Sequence, residues 1–165
     1  MTSTIVDGRR LWLRLLEPTD ANLIRLFFWR LSAESLYRRF LSPIKPPANT
    51  LVARLVDIDH CSREALIALD EHGIVGIARY GTLGSRHDVA VVVADEWQGR
   101  GVGALLLRRL ANIARARGIT SFQATMLGDN RRAQRLVLGL SSKTRIRFDA
   151  GYLEADIPLG ARHAS

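Results

Sequence analysis

One stretch, residues 87–118, constrains the fold of this chain more than any other. It combines an apolar strand at Val89–Ala94, a charged elbow, a turn with three alternating glycines and a long amphipathic helix. Alternating glycines permit left-handed backbone torsions and leave the N–H groups of the turn uncovered. A helix that begins at such a turn adds its own unpaired N–H groups and the positive end of its dipole. The stretch therefore predicts a binding site for a phosphate or pyrophosphate group.

Composition limits the class of protein. With 165 residues, 47% of them hydrophobic, the chain is long enough to bury a core, and we expect a single domain over residues 1–165. Its one cysteine, Cys61, excludes an internal disulfide, which is typical of a reducing compartment. No signal peptide is visible and no apolar run reaches the roughly 20 residues of a membrane span. The sequence therefore predicts a cytoplasmic protein without a membrane partner.

The formal net charge of +8 predicts an acidic partner. The phosphates of a cofactor, a nucleic acid and an acidic protein all satisfy that requirement. The basic residues are dispersed along the chain, and neither a zinc-ligand spacing nor an aromatic RNA-binding motif is present. We therefore expect no metal and no nucleic acid.

Hydrophobic periodicity predicts an α/β protein. Besides the central strand, strands are predicted at 9–16, 64–70, 74–80, 119–127, 143–148 and 152–157, and helices after Pro18, at 33–41 (ended by Pro43, Pro46 and Pro47), at 51–56, at 102–117 with Gly118 as its left-handed cap, and at 131–138. Because a helix joins the central strand to the next one, those two strands should be parallel. The pattern gives a central mixed sheet of about seven strands with helices on both faces.

Two other interpretations of the glycine turn are considered: a dinucleotide-binding site, and a structural turn without a ligand. Gly99, Gly101 and Ala104 satisfy the dinucleotide-binding fingerprint literally, with Asp129 in place of the ribose acid. In that fold the first glycine follows the strand directly, whereas Asp95–Trp97 intervene here, and only about 60 residues remain for further βαβ units. A structural glycine turn without a ligand is the second alternative.

The motif Gln98-x-x-Gly101-x-Gly103, between an apolar strand and a leucine-rich helix, resembles the acyl-CoA signature of the GNAT superfamily of N-acetyltransferases. The order of elements over nearly the whole chain is similar to that fold. The segment Ser32–Leu41 resembles a helical segment of the Pat-type bacterial protein-lysine acetyltransferases. The resemblance implies acetyl-CoA as co-substrate and a primary amine as acceptor, with a protein lysine leading and a small-molecule amine as the alternative. It is also compatible with a homodimer.

The resemblance assigns the cofactor site position by position. It implies that the backbone of the glycine loop binds the CoA pyrophosphate. The central strand would bind the pantetheine arm through its backbone where it splays from the next strand, because an amide-rich arm satisfies the unpaired N–H and C=O groups there. The residues implied are Val91, Val92, Val93, Gln98, Gly99, Arg100, Gly101, Val102, Gly103, Ala104 and Asn130. Arg131 or Arg132 would either meet the adenosine phosphates or remain surface arginines.

The chemistry requires a neutral amine, whereas a lysine with an ordinary pKa of about 10.4 is almost fully protonated at pH 7. A general base removes this obstacle. The resemblance implies Asp88, where the Pat-type enzymes have a glutamate, and the alternative is that Asp88 only ends the strand or pairs with an arginine. His87 and Glu64 are weaker candidates for the base.

The family pattern also includes a tyrosine, near Leu140, that protonates the departing thiolate, and this sequence lacks it. Either the thiolate leaves unaided, or Tyr152 or a serine assists, or the chain binds acyl-CoA without turnover. The acceptor is expected between the early helices (19–57) and the last hairpin, with Trp29, Tyr37 and Tyr152 as candidate walls.

Overall fold

The computed structural model describes residues 1–45 and 48–160, which form an eight-stranded mixed sheet flanked by helices. The strands are β1 (Thr2–Val6), β2 (Arg9–Leu15), β3 (Arg63–Asp70), β4 (Gly73–Leu83), β5 (Arg86–Val93), β6 (Ser121–Leu127), β7 (Arg145–Asp149) and β8 (Tyr152–Pro158), and the α-helices are α1 (Ala21–Trp29), α2 (Ala33–Phe40), α3 (Asn49–Leu55), α4 (Val102–Ala116) and α5 (Arg131–Leu140). Short 3-10 turns occupy Pro18–Asp20 and Asp95–Trp97. The strand order is β1-β2-β3-β4-β5-β6-β8-β7.

The helices lie on both faces of the sheet, as predicted. A Cβ atom added at Gly76 of β4 would lie 2.9 Å from the Leu106 side chain, so α4 packs directly on that strand. Leu136 of α5 approaches Gly103 on the same side. Helices α1–α3 cover the opposite face, where Ile24 packs beside Ile77 of β4. Side chains alternate along each strand, so consecutive residues within β4, or within β5, face opposite sides of the sheet.

Local signals explain where several helices begin and end. The Ser32 hydroxyl accepts a hydrogen bond from the Ser35 amide at the start of α2, and the Asn130 side chain accepts one from the Ala133 amide at the start of α5. Gly118 has φ of +82° directly after α4, as its predicted role as a left-handed cap requires. The predicted helix break at Pro46 and Pro47 lies outside the described residues.

The sheet has eight strands rather than the predicted seven, because the sequence analysis missed β1. Thr2–Val6 is an edge strand that pairs only with β2 and exposes most of its side chains, so its sequence lacks the apolar alternation by which buried strands are recognised. The central strand β5 also starts earlier than Val89. Its polar first residues, Arg86–Asp88, are held by antiparallel pairing with β4.

Strands β5 and β6 are parallel, as predicted, but their pairing is confined to one position. Asp88 is in register with Gln123, and beyond this pair the two strands diverge toward their C-terminal ends. The edge of β5 that faces β6 therefore carries backbone groups without a strand partner. None of the helices in residues 1–45 and 48–160 has the length and apolar character needed to cross a membrane.

Candidate functional site

A cleft opens where β5 and β6 diverge. Its volume is about 760 Å³, within the range of small-molecule sites. The walls come from α2, the end of β5, the glycine loop, the first turns of α4, and α5 with the residues before it. The cleft therefore joins unpaired strand edge, glycine loop and helix N-terminus in a single surface.

The glycine loop presents a row of free backbone donors to this cleft. Gly99 and Gly101 have φ of +73° and +87°, the left-handed torsions that the alternating glycines predict. Among the described residues, no protein acceptor bonds the amides of residues 99–104; the Leu105 amide is the first to bond within the helix, to the Gly101 carbonyl at 3.0 Å. Donors at the positive end of a 15-residue helix fit an anionic group such as a pyrophosphate.

The structure brings most of the predicted cofactor residues together around the cleft. Those that line it are Val91, Val92, Val93, Gln98, Gly99, Gly101, Val102, Gly103, Ala104 and Asn130. Arg100 does not line it: its side chain bonds the Glu96 carbonyl at 3.0 Å and forms an ion pair with Asp7 in the β1–β2 turn. Only the backbone of Arg100 remains available to the loop.

Gln98 connects the elements around the loop. Its side-chain amide donates to the Val93 carbonyl at 3.0 Å and to the Ser35 hydroxyl at 3.1 Å, and its carbonyl accepts from Arg132. One side chain thereby joins the end of β5 to α2 and α5. This glutamine therefore ties together three of the elements that form the cleft.

Asp95 supports the same junction, and the sequence analysis did not single it out. Its carboxylate accepts from the Ser32 amide and the Ser35 hydroxyl, each at 3.1 Å. Burial acts to raise the pKa of Asp95, but these hydrogen bonds outweigh it, so the net pKa is lowered. The carboxylate therefore stays ionised and holds the start of α2 against the loop.

The cleft carries more positive than negative charge. The arginines that line it are Arg38, Arg39, Arg108, Arg131, Arg132 and Arg135, and the acidic residues are Glu34, Asp95 and Asp129. Such an excess favours phosphate-rich ligands. Arg38 is neutralised by Glu34 at 3.0 Å and by Asp129 at 3.7 Å.

Asp88 lies where β5 and β6 separate, outside the residues that line the cleft. Its side chain is 52% exposed and accepts a hydrogen bond from Arg86 Nε at 2.8 Å. Arg86 also contacts Glu154 of β8 at 3.2 Å. Asp88 shares the α1–α3 face of the sheet with Val92 because strand side chains alternate. The arginine pairing considered from the sequence is therefore present, and about half of the Asp88 side chain remains open to solvent.

The other titratable candidates lie elsewhere. His87 Nδ1 is 2.8 Å from the Thr82 hydroxyl, on the opposite face from Asp88. Glu64 is completely buried and contacts Arg117 at 2.7 Å and His60 at 3.0 Å. Neither residue lines the cleft.

The predicted aromatic walls are also outside the cleft. Trp29 is 66% exposed and Tyr37 is 40% exposed, and neither they nor Tyr152 line the cavity. Leu140, at the position where the family has its tyrosine, does line it. Among the described residues the cleft contains no tyrosine.

A partly buried arginine in the cleft wall, Arg39, was also not predicted from the sequence. Arg39 of α2 lines the cleft and, with Arg79 of β4, a smaller cavity behind it. A signal was present: Arg39 follows the buried residues Ser35 and Leu36 by four and three positions, so it belongs to the helix stripe that faces the sheet.

The comparisons with known proteins agree with this geometry. The family model described as "Acetyltransferase (GNAT) family" matches residues 25–139. An acetyltransferase of Pseudomonas aeruginosa is 34% identical over 140 residues, which cover 81% of this chain and 75% of that protein. The acetyltransferase Pat of Mycolicibacterium smegmatis is 29% identical over 92% of this chain, but the chain spans only 47% of that relative's length.

Among solved structures, the GNAT domain of S. lividans PAT superposes with a TM-score of 0.88 at 26% identity, covering 95% of this chain and 96% of that one. The family match spans more than half of the chain, and the arrangement of sheet, glycine loop and cleft agrees with it. The chain therefore belongs to the GNAT family of acetyltransferases, which use acetyl-CoA as co-substrate.

Proposed function

We propose that this chain transfers an acetyl group directly from acetyl-CoA to the primary amine of a protein lysine. The observation that carries the proposal is the row of unpaired amides at residues 99–104, which opens on the cleft between β5 and β6. The likeness to Pat and to the GNAT domain of S. lividans PAT supports a protein acceptor. A small-molecule amine is the alternative acceptor at the same site.

The proposed binding roles follow from the groups available. The amides of residues 99–104 donate to the pyrophosphate, and the free edge of Val91–Val93 pairs with the amides of the pantetheine arm. Asn130 closes the cleft from the α5 side. Arg108, Arg131 and Arg132 add positive charge near the phosphates. Arg100 contributes through its backbone alone, because its side chain is paired with Asp7.

The proposed general base is Asp88. The amine must lose a proton before its nitrogen attacks the thioester carbonyl, and a positioned base contributes about 10²–10⁴-fold to such steps. Aspartate is one methylene shorter than the glutamate of the Pat-type enzymes, so we expect a water molecule to relay the proton. Half of the Asp88 side chain is exposed, which gives water access to the carboxylate.

The remaining steps use the backbone and the leaving group's own acidity. An N–H group of Val92 or Val93 would stabilise the negative charge that develops on the carbonyl oxygen, a contribution of about 2.7–4 kcal/mol in comparable sites. The lysine ammonium loses two protons in all: one leaves through water and Asp88 before the attack, and the other leaves the nitrogen after the C–N bond has formed. As the C–S bond breaks, the CoA thiolate takes up the second proton, and the first is released to solvent. A thiol with a pKa of about 8.5 is a sufficiently good leaving group to depart without a tyrosine.

A thiol-release assay tests the proposal. Acetyl-CoA is incubated with protein lysines, lysine peptides and small amines, and free CoA thiol is followed over time. We expect release with at least one acceptor class, fastest with protein lysines. Release with small amines alone would replace the acceptor and keep the reaction.

The second candidate, a non-catalytic acyl-CoA sensor, is favoured by the absence of a tyrosine among the described residues of the cleft. Calorimetry separates the two. A sensor binds acetyl-CoA and leaves it intact with every acceptor. Failure to bind CoA at all, with micromolar binding of NAD, would contradict both candidates and favour a dinucleotide site.

A further inference from the structure

Within the described part of the chain, two arginines, Arg39 of α2 and Arg79 of β4, lack the carboxylate partners that several other arginines of this chain have. Arg39 lines the cleft, and together with Arg79 it also lines a cavity of about 10 Å³ behind the cleft wall. Among the described residues, no carboxylate or other hydrogen-bond acceptor bonds the Arg39 guanidinium, whose nearest aromatic contact is the Phe40 ring at 4.7 Å. Arg79 donates one hydrogen bond, to the Leu55 carbonyl at 3.3 Å.

The surroundings make these charges costly. The rest of the smaller cavity is apolar, formed by Leu16, Ile24, Phe28, Leu55, Ala65, Ile77 and Val92. Burial lowers the pKa of Arg39 to about 10, and the charge of Arg79 acts in the same direction. Burial also lowers the pKa of Arg79, where Arg63 and Arg54 add to the effect and Asp57 opposes it. A buried cation without an anion is unfavourable, and a bound anion would relieve this cost.

Neighbouring arginines of the same cleft show that pairing is available in principle. Arg38 has Glu34 and Asp129, and Arg132 has the Gln98 carbonyl. Arg39 lies on the sheet-facing stripe of α2, three residues after the buried Leu36, and is partly buried there. The cation therefore points at the inner wall of the cleft with its donors free.

We propose that Arg39, supported by Arg79, binds a carboxylate group on one of the two substrates, the acyl-CoA or the amine acceptor. The chain then prefers a substrate with this carboxylate over a neutral analogue. A guanidinium fork matches a carboxylate geometrically. The smaller cavity holds one water molecule at most, so the carboxylate would meet Arg39 from the cleft side. The proposal rests on the proposed acyl transfer and names the substrate class for it.

Either of the two substrates can carry this carboxylate. One source is the acyl group of a dicarboxylic monothioester of CoA, and the other is the amine acceptor, as an amino acid or as an acidic residue beside a lysine. Both sources lie within the same cleft, because donor and acceptor must meet there for transfer. The acceptor source also fits the position of Arg79, whose cross-strand neighbour Ala90 lies on the same face as Asp88.

Matched substrates distinguish the two sources. Thiol release is measured with succinyl-CoA against butyryl-CoA, which differ in the terminal carboxylate. It is also measured with an amino acid against its amide, and with a lysine peptide carrying aspartate against one carrying asparagine. We expect at least one carboxylate partner to exceed its neutral counterpart in kcat/KM by roughly 10- to 100-fold. The arm that shows the preference identifies the source.

The variant Arg39→Gln should abolish that preference while changing kcat/KM for the neutral counterparts much less. Arg39→Lys keeps the charge and should retain part of it. Arg25→Gln, which removes a partly exposed arginine of α1 that contacts Asn22 and Asn49 outside the cleft, should leave the preference intact. Equal rates for all matched pairs in the wild-type protein, or equal behaviour of the Arg39 and Arg25 variants, would overturn the proposal.

Two further results keep the test decisive. If no pair releases thiol, the proposed function fails, and calorimetry of succinyl-CoA and butyryl-CoA and of the paired acceptors decides the carboxylate site alone. Tighter binding of a carboxylate ligand that Arg39→Gln removes supports the site, and equal binding refutes it. If Arg39→Gln does not fold, Arg39→Lys decides: a preference smaller than that of the wild-type protein supports the site, and an unchanged preference refutes it.

Discussion

Two clusters of charged residues on opposite faces of the central sheet differ in the partners that the chain gives them. On the α4 face, the completely buried Glu64 carboxylate accepts from Arg117 at 2.7 Å and from the Ala65 amide at 3.1 Å, with His60 Nδ1 at 3.0 Å. Arg117 in turn donates to the Tyr80 hydroxyl at 2.9 Å. On the α1–α3 face, the guanidinium groups of Arg39 and Arg79 have no carboxylate within bonding distance among the described residues.

This difference distinguishes a charge cluster that maintains the fold from a pair of cations that can bind a ligand. A buried carboxylate that has every partner it needs is tolerated, and removal of one partner is then strongly destabilising. A buried cation without partners destabilises the empty protein and gains from an anionic ligand. Changes at the Glu64 cluster should therefore act on stability, and changes at the Arg39–Arg79 pair should act on substrates.

The largest effect is expected from Arg117→Met. The change leaves the Glu64 carboxylate buried beside a single titratable partner, and such losses cost about 3–5 kcal/mol. Because the Arg117 side chain is 29% exposed, we expect the lower end, about 3 kcal/mol. Urea unfolding measures the loss, and Arg109→Met in α4, the helix that ends just before Arg117, serves as control, within about 0.5 kcal/mol of wild type. Reduced acetyl-CoA affinity without lost stability would contradict the division between the two clusters.

Asp88→Asn tests the proposed general base, which lies on the α1–α3 face of the sheet. The substitution keeps the shape of the side chain and removes its basicity, so kcat should fall by about 10²-fold with unchanged acetyl-CoA affinity. Glu154→Gln is the matched control, because Glu154 also loses a charge beside Arg86. We expect the control to retain activity. Full turnover by the Asp88 variant would leave only its pairing with Arg86 as a role.

Gly101 lies at the start of α4. A substitution there changes the glycine loop and leaves both the Glu64 cluster and the Arg39–Arg79 pair intact. Its φ of +87° is strained for a β-branched residue, at a cost of about 1–3 kcal/mol. Gly101→Val should therefore weaken acetyl-CoA binding by up to about 10²-fold as the loop rearranges. Gly101→Asn should bind much better, because asparagine tolerates left-handed torsions. Calorimetric titration that ranks the two variants equally would remove backbone conformation as the cause.

The parts of the fold that local patterns determine were predictable from the sequence. Strand β5, helix α4 and the Gly118 cap follow from apolar periodicity and glycine torsions, and the splay of β5 from β6 follows from the family resemblance. Edge strand β1 was not predictable, because only its pairing with β2 holds its exposed residues in place. The start of β5 at Arg86 likewise depends on the partner strand β4.

The site divides in the same way. The glycine amides could be predicted because their exposure depends on adjacent residues, whereas the direction of the Arg100 side chain depends on Asp7, distant in sequence. The proximity of Arg39 and Arg79 arises when α2 packs on β4, so no local pattern encodes it. Charge pairing is thus the feature that sequence analysis predicted least well.

The smallest expected effect concerns His60 and the pH dependence of stability. A hydrogen bond with Glu64 raises the pKa of His60, with smaller support from Glu17. The stabilisation from the imidazolium is therefore complete below the unfolded pKa of about 6.5 and is lost as pH rises through the folded pKa. The difference in urea midpoint between wild type and His60→Gln should then shrink from pH 6 to pH 9.

Salt divides this effect between the two carboxylates. At 1 M salt, where screening acts over about 3 Å, the contribution of the half-exposed Glu17 should fall, and that of the buried Glu64 should persist. A pH-dependent difference that disappears entirely in salt would assign it to Glu17. A difference that grows with pH would have the wrong sign for an imidazolium paired with Glu64. Arg117 would then be the sole cation that compensates the buried carboxylate, and the α4 face would depend on one ion pair.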